Sequence, residues 1–216
     1  MKTDAGRKKV GLKIAAVLKK EFPEAGTALH FSNPLQLLIA TMLSAQCTDV
    51  RVNMVTPSLF AKYKTAKDFS QADLYELEND IRSTGFYRMK AENIINTCKM
   101  IVTEFHGILP QSIELLTKLP GVGRKTANCV LGGAFGIQEG IVVDTHVARI
   151  TKRLGLTSQT DPEKIEQDLI SLVPRSEWYL FSNLIILHGR KTCIARNPKC
   201  KECSIFRLCS YDQKTI

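Results

Sequence analysis

Two side chains between residues 119 and 146 have the chemistry to attack a sugar carbon and to stabilise the charge that develops there. Lys125 stands in the segment Leu-Pro-Gly-Val-Gly-Arg-Lys-Thr-Ala-Asn, and Asp144 ends the run Ile-Val-Val-Asp. A neutral lysine amine forms a Schiff base with such a carbon, and a fixed carboxylate stabilises a developing cation. We therefore predict that Lys125 and Asp144 form a catalytic pair.

Each of these residues also has a simpler interpretation. Lys125 falls in the first turn of a predicted helix, where the positive helix end and the neighbouring Arg124 disfavour the ammonium form. A lysine at that place is, alternatively, only a phosphate contact. Asp144 precedes a helical pattern, so its alternative role is an N-cap. Capping and catalysis use the same carboxylate oxygens, and the sequence leaves the role of Asp144 open.

A predicted helix, tight turn and second helix position Lys125. Good helix formers over residues 112–119 end at a Pro-Gly pair, and the next helix starts near Arg124. Gly123 permits a backbone conformation that a residue with a Cβ resists. Backbone N–H groups at such a helix start suit a phosphate oxygen, which predicts DNA-backbone contacts. The predicted contacts come from Gly121, Val122, Gly123 and Arg124. The alternative is an ordinary helical hairpin without a ligand.

Four cysteines near the C-terminus follow the pattern C-x6-C-x2-C-x5-C: Cys193, Cys200, Cys203 and Cys209. Thiolates at this spacing predict a four-sulfur metal site, and both zinc and an iron–sulfur cluster accept four cysteines. Basic residues surround the pattern, among them Arg190, Lys191, Arg196 and Lys199. We predict a metal-folded loop that touches phosphate, with a purely structural clasp as the alternative.

Composition narrows the class of protein. The chain has 216 residues, a formal net charge of +9 and 44% hydrophobic residues, which favours a globular protein with a polyanionic partner. The charge alone does not choose between nucleic acid and an anionic membrane. No apolar run approaches the roughly 20 residues of a membrane span, and the charged N-terminus does not read as a secretory signal. Cys47, Cys98 and Cys129 fall inside helical patterns and read as reduced core thiols. We expect a cytoplasmic, nucleoid-associated protein without membrane contact.

The predicted elements are helices separated by Gly or Pro turns. Amphipathic patterns cover residues 6–22, 70–81 and 90–105, and residues 178–188 are apolar on nearly all sides. No segment predicts a sheet, and there is no long linker. The fold class expected is all-α, with two helical lobes.

Several motifs occur together in a fixed order and cover nearly the whole chain. They are Leu-Ser-Ala-Gln-Cys-Thr-Asp (43–49), Lys-Ala-Glu-Asn-Ile-Ile (90–95), the lysine segment (119–128), Val-Asp-Thr-His-Val (143–147), Leu-His-Gly-Arg (187–190) and the four cysteines. In this combination the chain resembles the endonuclease III family, the iron–sulfur DNA glycosylases of the helix-hairpin-helix superfamily.

The resemblance implies a fold and a cofactor. It implies a six-helix domain containing the hairpin, residues 23–135, and an iron–sulfur domain built from both termini, residues 1–22 with 136–216. DNA is expected in the cleft between the domains. The cofactor implied is one 4Fe–4S cluster rather than zinc, held by the four cysteines.

The resemblance also implies roles for single residues. Lys125 matches the Schiff-base lysine and Asp144 the essential aspartate of the family. Gln46 matches the residue that fills the gap left by the extruded base. Phe86, in Thr-Gly-Phe-Tyr, stands where the family usually carries an aliphatic wedge. The phosphate-binding turn of the family matches Gly121, Val122 and Gly123.

The function implied is a bifunctional DNA glycosylase and AP lyase. It excises oxidised pyrimidines from duplex DNA through a lysine Schiff base and cuts the strand by β-elimination. The expected partner is double-stranded DNA with damaged pyrimidines or abasic sites, bound by a monomer. Two alternatives stay open on the sequence: a non-catalytic binder of damaged DNA, and an AP lyase with negligible glycosylase activity.

Overall fold

The computed structural model describes residues 3–215, and in that part of the chain helices are joined by turns and loops and no strand occurs. The α-helices are α1 (Asp4–Glu21), α2 (Pro34–Leu43), α3 (Asp49–Lys62), α4 (Ala66–Ser70), α5 (Leu74–Asp80), α6 (Tyr87–Phe105), α7 (Ile113–Leu116), α8 (Arg124–Val130), α9 (Thr145–Arg153), α10 (Pro162–Leu172) and α11 (Trp178–Lys191). Helix α8 continues into a π-helical turn, Leu131–Phe135. The all-α prediction is confirmed.

The chain divides into two compact units, Ala28–Glu139 and the pair Met1–Thr27 with Gly140–Ile216. The predicted boundaries fell a few residues earlier, after residues 22 and 135. Ala25 packs with the core of the terminal unit, and Ile137 packs with the core of the middle unit. Glu139 also accepts a hydrogen bond from the backbone N–H of Ile113, at 3.1 Å. These contacts explain why each boundary lies later than predicted.

The middle unit, residues 28–139, is built around α2. Seven of the ten residues of α2 are buried, because apolar side chains cover the whole helix. Asn33 caps α2 by accepting a hydrogen bond from the backbone N–H of Gln36 at 3.0 Å, and Pro34 follows at the first helical position, as the Asn-Pro pair suggests. The unit has seven α-helical segments rather than six, but α7 spans only four residues. Helix counts depend on such short segments.

The terminal unit has a separate core. Helix α1 contributes Ile14 and Leu18, and α9 contributes Ile150. From α11, Phe181 and Leu184 are fully buried or nearly so, which agrees with the apolar pattern of residues 178–188. Among the helices described, none is both long enough and apolar enough to cross a membrane.

Candidate functional site

The helical hairpin forms where the sequence predicts it, but its first helix is shorter. Ser112 caps α7, which ends at Leu116. The backbone then turns through Gly121, whose φ is +73°, while Gly123 has an ordinary φ of −84° as the N-cap of α8. The prediction that Gly123 needs a special conformation is therefore wrong. The left-handed residue is Gly121, because the chain reverses two residues earlier than expected.

Two side chains of helix α6 contact the turn of the hairpin. The Thr97 hydroxyl donates to the carbonyl oxygen of Pro120 at 2.7 Å. The Asn93 side chain packs so closely on Gly121 that a Cβ there would lie 2.9 Å from it. The sequence patterns gave neither residue a role, although Asn93 lies in the motif Lys-Ala-Glu-Asn-Ile-Ile. A helical spacing that places residues 93 and 97 on one face of α6 was the available signal.

Lys125 is the second residue of α8 and is exposed. Arg124 precedes it and is partly exposed, and Val122 is buried beneath the turn. Cys129 lies one helical turn further on, where burial raises the pKa of its thiol. That thiol is protonated at neutral pH and does not compete as a nucleophile. The amine of Lys125 is thus the available nucleophile of α8.

Gln46 and Phe86 are exposed residues on two loops of the same unit. Gln46 lies between α2 and α3, and Phe86 directly precedes α6, with 58% of its surface exposed. Both have a left-handed backbone, with φ of 51° and 49°. Non-glycine residues rarely adopt this conformation, which is enriched at functional sites.

In the terminal unit, Asp144 is the N-cap of α9. Its Oδ1 accepts a hydrogen bond from the backbone N–H of Val147 at 2.8 Å. Its Oδ2 lies 3.2 Å from Nδ1 of His146, and 16% of the Asp144 side chain is exposed. Each oxygen therefore has a different neighbour, so capping does not occupy the whole carboxylate. The sequence patterns did not single out His146, although the Val-Asp-Thr-His-Val motif contains it.

The four cysteines line one pocket of the terminal unit, which encloses about 390 Å³ of atom-free space, part of it open to solvent. Cys193 follows α11, and the other three border two short 3₁₀ turns, Cys200–Glu202 and Phe206–Leu208. Within residues 3–215, no three His, Cys, Asp or Glu side chains are gathered tightly enough to hold a single ion. The sulfurs instead stand around the pocket wall.

The surroundings of these thiols suit a metal-bound, deprotonated state. Burial, together with a smaller effect of the three neighbouring cysteines, raises the pKa of Cys203 to about 11. A raised pKa means that ionising the thiol costs free energy when no metal is bound. A positively charged metal group offsets this cost of ionisation, because it binds the thiolate form. Arg153 donates from Nη1 to Sγ of Cys193 at 3.4 Å, and the backbone N–H of Tyr211 donates to Sγ of Cys209 at 3.5 Å. Such donors favour negatively charged sulfur.

Helix α9 connects Asp144 with the cysteine loop inside the terminal unit. Asp144 caps its start, and Arg153 lies at its end. The Arg153 guanidinium also donates to the carbonyl oxygens of Ile194 and Ala195, each at 2.9 Å. The sequence patterns did not indicate Arg153, because an interaction across forty residues has no local signal.

The predicted basic contacts near the cysteines are all exposed, but they differ in their neighbours. Arg190, Arg196 and Lys199 are exposed side chains. The ammonium of Lys191 pairs with Oε1 of Glu21 at 3.1 Å. Lys191 therefore already connects α11 with α1 through an ion pair.

Comparison with known proteins agrees with this geometry. Residues 39–175 match the family described as HhH-GPD superfamily base excision DNA repair protein. The chain is 53% identical over 205 residues to endonuclease III of Synechocystis sp., covering 95% of this chain and 94% of that protein. It is 46% identical over 194 residues to endonuclease III of Bacillus subtilis, with coverages of 89% and 88%.

A solved structure of an endonuclease III–DNA complex also matches this chain closely in fold. The structure of a trapped endonuclease III–DNA covalent intermediate, an estranged-adenine complex, superimposes with a TM-score of 0.90 at 44% identity. The match covers 97% of each chain. Both the family model and the relatives extend over most of the sequence. The chain belongs to the endonuclease III family, within the HhH-GPD superfamily of base excision DNA repair proteins.

Proposed function

We propose that this chain, a DNA glycosylase and AP lyase of base excision repair, excises oxidised pyrimidines from duplex DNA through a Schiff base on Lys125. The observation that carries the proposal is an exposed lysine in the first turn of the helix that follows the hairpin. The related endonuclease III has been trapped as a covalent intermediate with DNA. An amine at this position is the group of α8 that can form such a bond.

The chemistry starts with extrusion of the damaged nucleotide, which costs a few kcal/mol and least for a weakly paired base. Nζ of Lys125 attacks C1′, the bond from C1′ to the base breaks, and the departing base takes up a proton. The sugar ring opens, and the C1′–N bond becomes a Schiff base. The proton on C2′ is then acidic, and its loss breaks the C3′–O bond. The strand is cut on the 3′ side by this β-elimination.

Asp144 supplies negative charge while the base leaves. Because Oδ1 is used by the helix cap, Oδ2 is the oxygen that we assign to the reaction. A fixed carboxylate stabilises the cationic sugar without reorganising. It also assists proton transfer to and from the lysine amine.

The same proposal assigns the DNA contacts. Backbone N–H groups at Gly121, Gly123 and Arg124 hold a phosphate, since a helix start carries N–H groups without intrahelical acceptors. The predicted contact from Val122 is not a backbone one, because its N–H already donates to the carbonyl oxygen of Leu119 at 3.1 Å. Gln46 fills the gap left by the extruded base, and Phe86 separates the neighbouring base step. Arg190, Arg196 and Lys199 contact phosphates, and Lys191 does so only when its pair with Glu21 opens.

We further propose that the four cysteines hold one 4Fe–4S cluster. Four cysteines lining one pocket are a donor set that a 4Fe–4S cluster accepts, and membership of the endonuclease III family favours the cluster over zinc. When bound, the cluster folds the C-terminal loop, and base displacement requires no electron transfer from it. Purified protein should contain iron and acid-labile sulfide and absorb near ~400 nm. Bound zinc without iron would contradict this assignment.

The decisive experiment is borohydride trapping on duplex DNA containing an oxidised pyrimidine. Lys125→Ala should abolish the trapped complex and leave DNA affinity within about twofold, because the missing group acts in bond formation. Lys99, an exposed lysine of α6, provides the control, since Lys99→Ala should trap normally. If Lys125→Ala also traps normally, another residue is the nucleophile.

The family assignment sets aside the non-catalytic alternative, because this family consists of repair enzymes. An AP lyase with negligible glycosylase activity is separated by substrate. Wild-type protein should incise both an intact oxidised-pyrimidine duplex and an abasic duplex, whereas such a lyase incises only the second.

We also propose that the enzyme works as a cytoplasmic, nucleoid-associated monomer. Sedimentation of the purified protein with and without DNA tests the monomeric state.

A further inference from the structure

Lys90 is the one buried lysine among residues 3–215, with 4% of its surface exposed. It lies in the first turn of α6, whereas the proposed nucleophile lies on α8. Its Nζ donates to the carbonyl oxygen of Leu43 at 2.8 Å and to that of Thr84 at 2.9 Å. A single ammonium therefore joins two segments that are about forty residues apart in the chain.

The two carbonyl groups lie at the bases of the two loops with proposed DNA roles. Leu43 is the last residue of α2, and the loop that begins there carries Gln46. Thr84 ends a 3₁₀ turn, and Phe86 follows two residues later. Lys90 thus fixes the spacing between the gap-filling loop and the wedge loop.

Both loops need such an anchor. Gln46 and Phe86 are two of the four non-glycine residues with positive φ in the described chain. A left-handed backbone at a residue with a side chain is strained, and it persists only where surrounding contacts hold it. The hydrogen bonds from Lys90 are contacts of that kind, because each is donated to a carbonyl oxygen within three residues of Gln46 or Phe86.

Burying a charged lysine side chain costs desolvation free energy. Burial lowers the pKa of Lys90, and the neighbouring Cys47 offsets part of that shift. The carbonyl of Leu43 stands at the negative end of α2, which favours a cation. An apolar side chain would fill the same space without the cost of desolvating a charge, but it would leave the two loops unconnected.

We infer that Lys90 is a positioning residue for base extrusion: its ammonium holds the Gln46 and Phe86 loops at a fixed separation, so that both side chains enter the duplex together. Because Gln46 and Phe86 take their DNA roles from the proposed function, the inference rests on it. Lys90 touches neither the reacting sugar nor the base in this assignment.

The first test separates extrusion from the chemistry that follows it. Lys90→Met keeps an unbranched side chain, one heavy atom shorter, and removes its charge and donors. Single-turnover removal of an oxidised pyrimidine from duplex DNA should fall about tenfold or more, while trapping on a preformed abasic duplex falls about threefold or less, since no base remains to extrude. Lys99→Met, on the same helix and exposed, should change neither.

The second test is a mutant cycle, because a general loss of stability would also slow base removal. Lys90→Met is measured alone and in a chain that already carries Gln46→Ala and Phe86→Ala. A residue that acts through these side chains should cause no further loss in the second background. An equal loss in both backgrounds overturns the inference.

Two further measurements keep the outcome decisive. If Lys90→Met folds poorly, Lys90→Gln retains one donor group and is taken through the same cycle. If Gln46→Ala with Phe86→Ala removes bases at the wild-type rate, the loop roles fail and the inference fails with them. Trapping through Lys125 still tests the Schiff-base proposal separately, so the two failures are distinguishable.

Discussion

At the scale of single residues, the geometry of Asp144 is compatible with both a structural role and the proposed catalytic role. The sequence left capping and catalysis as competing roles. In the fold the cap uses only Oδ1, which accepts the Val147 N–H, whereas Oδ2 faces His146 and is the oxygen proposed for catalysis. The cap fixes the carboxylate in place, which is what electrostatic stabilisation of a developing cation requires.

This division of atoms predicts the effect of Asp144→Asn. Asparagine caps helices about as well as aspartate, so the fold should be kept while the negative charge is removed. Base release in single turnover should slow about 100-fold to 1,000-fold, with DNA affinity nearly unchanged. The matched control is Asp161→Asn at the N-cap of α10, which should leave the rate unaltered. A wild-type rate for Asp144→Asn would remove its catalytic role.

The two glycines of the hairpin predict different effects on stability. Gly121→Ala places a Cβ on a left-handed residue and 2.9 Å from Asn93. It should destabilise the protein by about 1–2 kcal/mol from the backbone conformation alone. At Gly123 a Cβ would have no neighbouring atom within 4 Å, and φ is ordinary, so Gly123→Ala should cost less. Thermal unfolding measures both, and equal destabilisation would contradict this account.

At the scale of elements, the sequence predicts most helices but not their short interruptions. Residues 70–81 read as one helix, whereas the structure has α4 ending at Ser70 and α5 beginning at Leu74. Asp73 explains the break, because its side chain accepts a hydrogen bond from the backbone N–H of Glu76 at 2.9 Å. A local cap decides this boundary, and apolar periodicity does not report it.

Elements that are distant in the sequence meet at Glu21, the last residue of α1. Its Oε2 accepts a hydrogen bond from Ser204 at 2.6 Å, and its Oε1 pairs with Lys191 of α11. Burial by itself would raise the pKa of Glu21, but these two partners outweigh it and hold the pKa below the ordinary 4.5. The carboxylate therefore stabilises the fold when it is ionised.

The pH dependence of this interaction follows from the lowered pKa. The stabilisation is fully present above about pH 4.5, the ordinary value, and disappears as the pH falls through the lowered pKa of Glu21. Glu21→Gln should therefore cost about 1 kcal/mol or less at pH 7, since Lys191 is largely exposed. The difference from wild type should shrink in denaturant unfolding near pH ~3. A constant difference from pH 7 to pH 3 would show that its charge is not involved.

At the scale of the whole molecule, the residues proposed for chemistry stand in motifs that can be recognised in the sequence, whereas long-range hydrogen bonds around the proposed sites cannot be recognised there. Lys125, Asp144 and the four cysteines stand in motifs with recognisable chemistry. Lys90 and Arg153 donate hydrogen bonds to carbonyl groups that are 47 and 41 residues away, and no local pattern encodes such an interaction. Fold class follows from helix periodicity, whereas positioning depends on which turns pack together.

The net charge of +9 predicts how DNA binding depends on salt. Each phosphate neutralised by a basic side chain releases counterions, so removing one such side chain lowers the slope of log K against log salt by about one. Arg196→Ala and Lys199→Ala should each reduce the slope by about that amount. Lys191→Ala should reduce it less, because Glu21 already pairs with that ammonium. Lys164→Ala on α10, an exposed lysine without a proposed DNA role, controls for the change in total charge. Equal reductions in all four variants would mean that the overall charge, and not the loop beside the cysteines, determines the salt dependence of DNA binding.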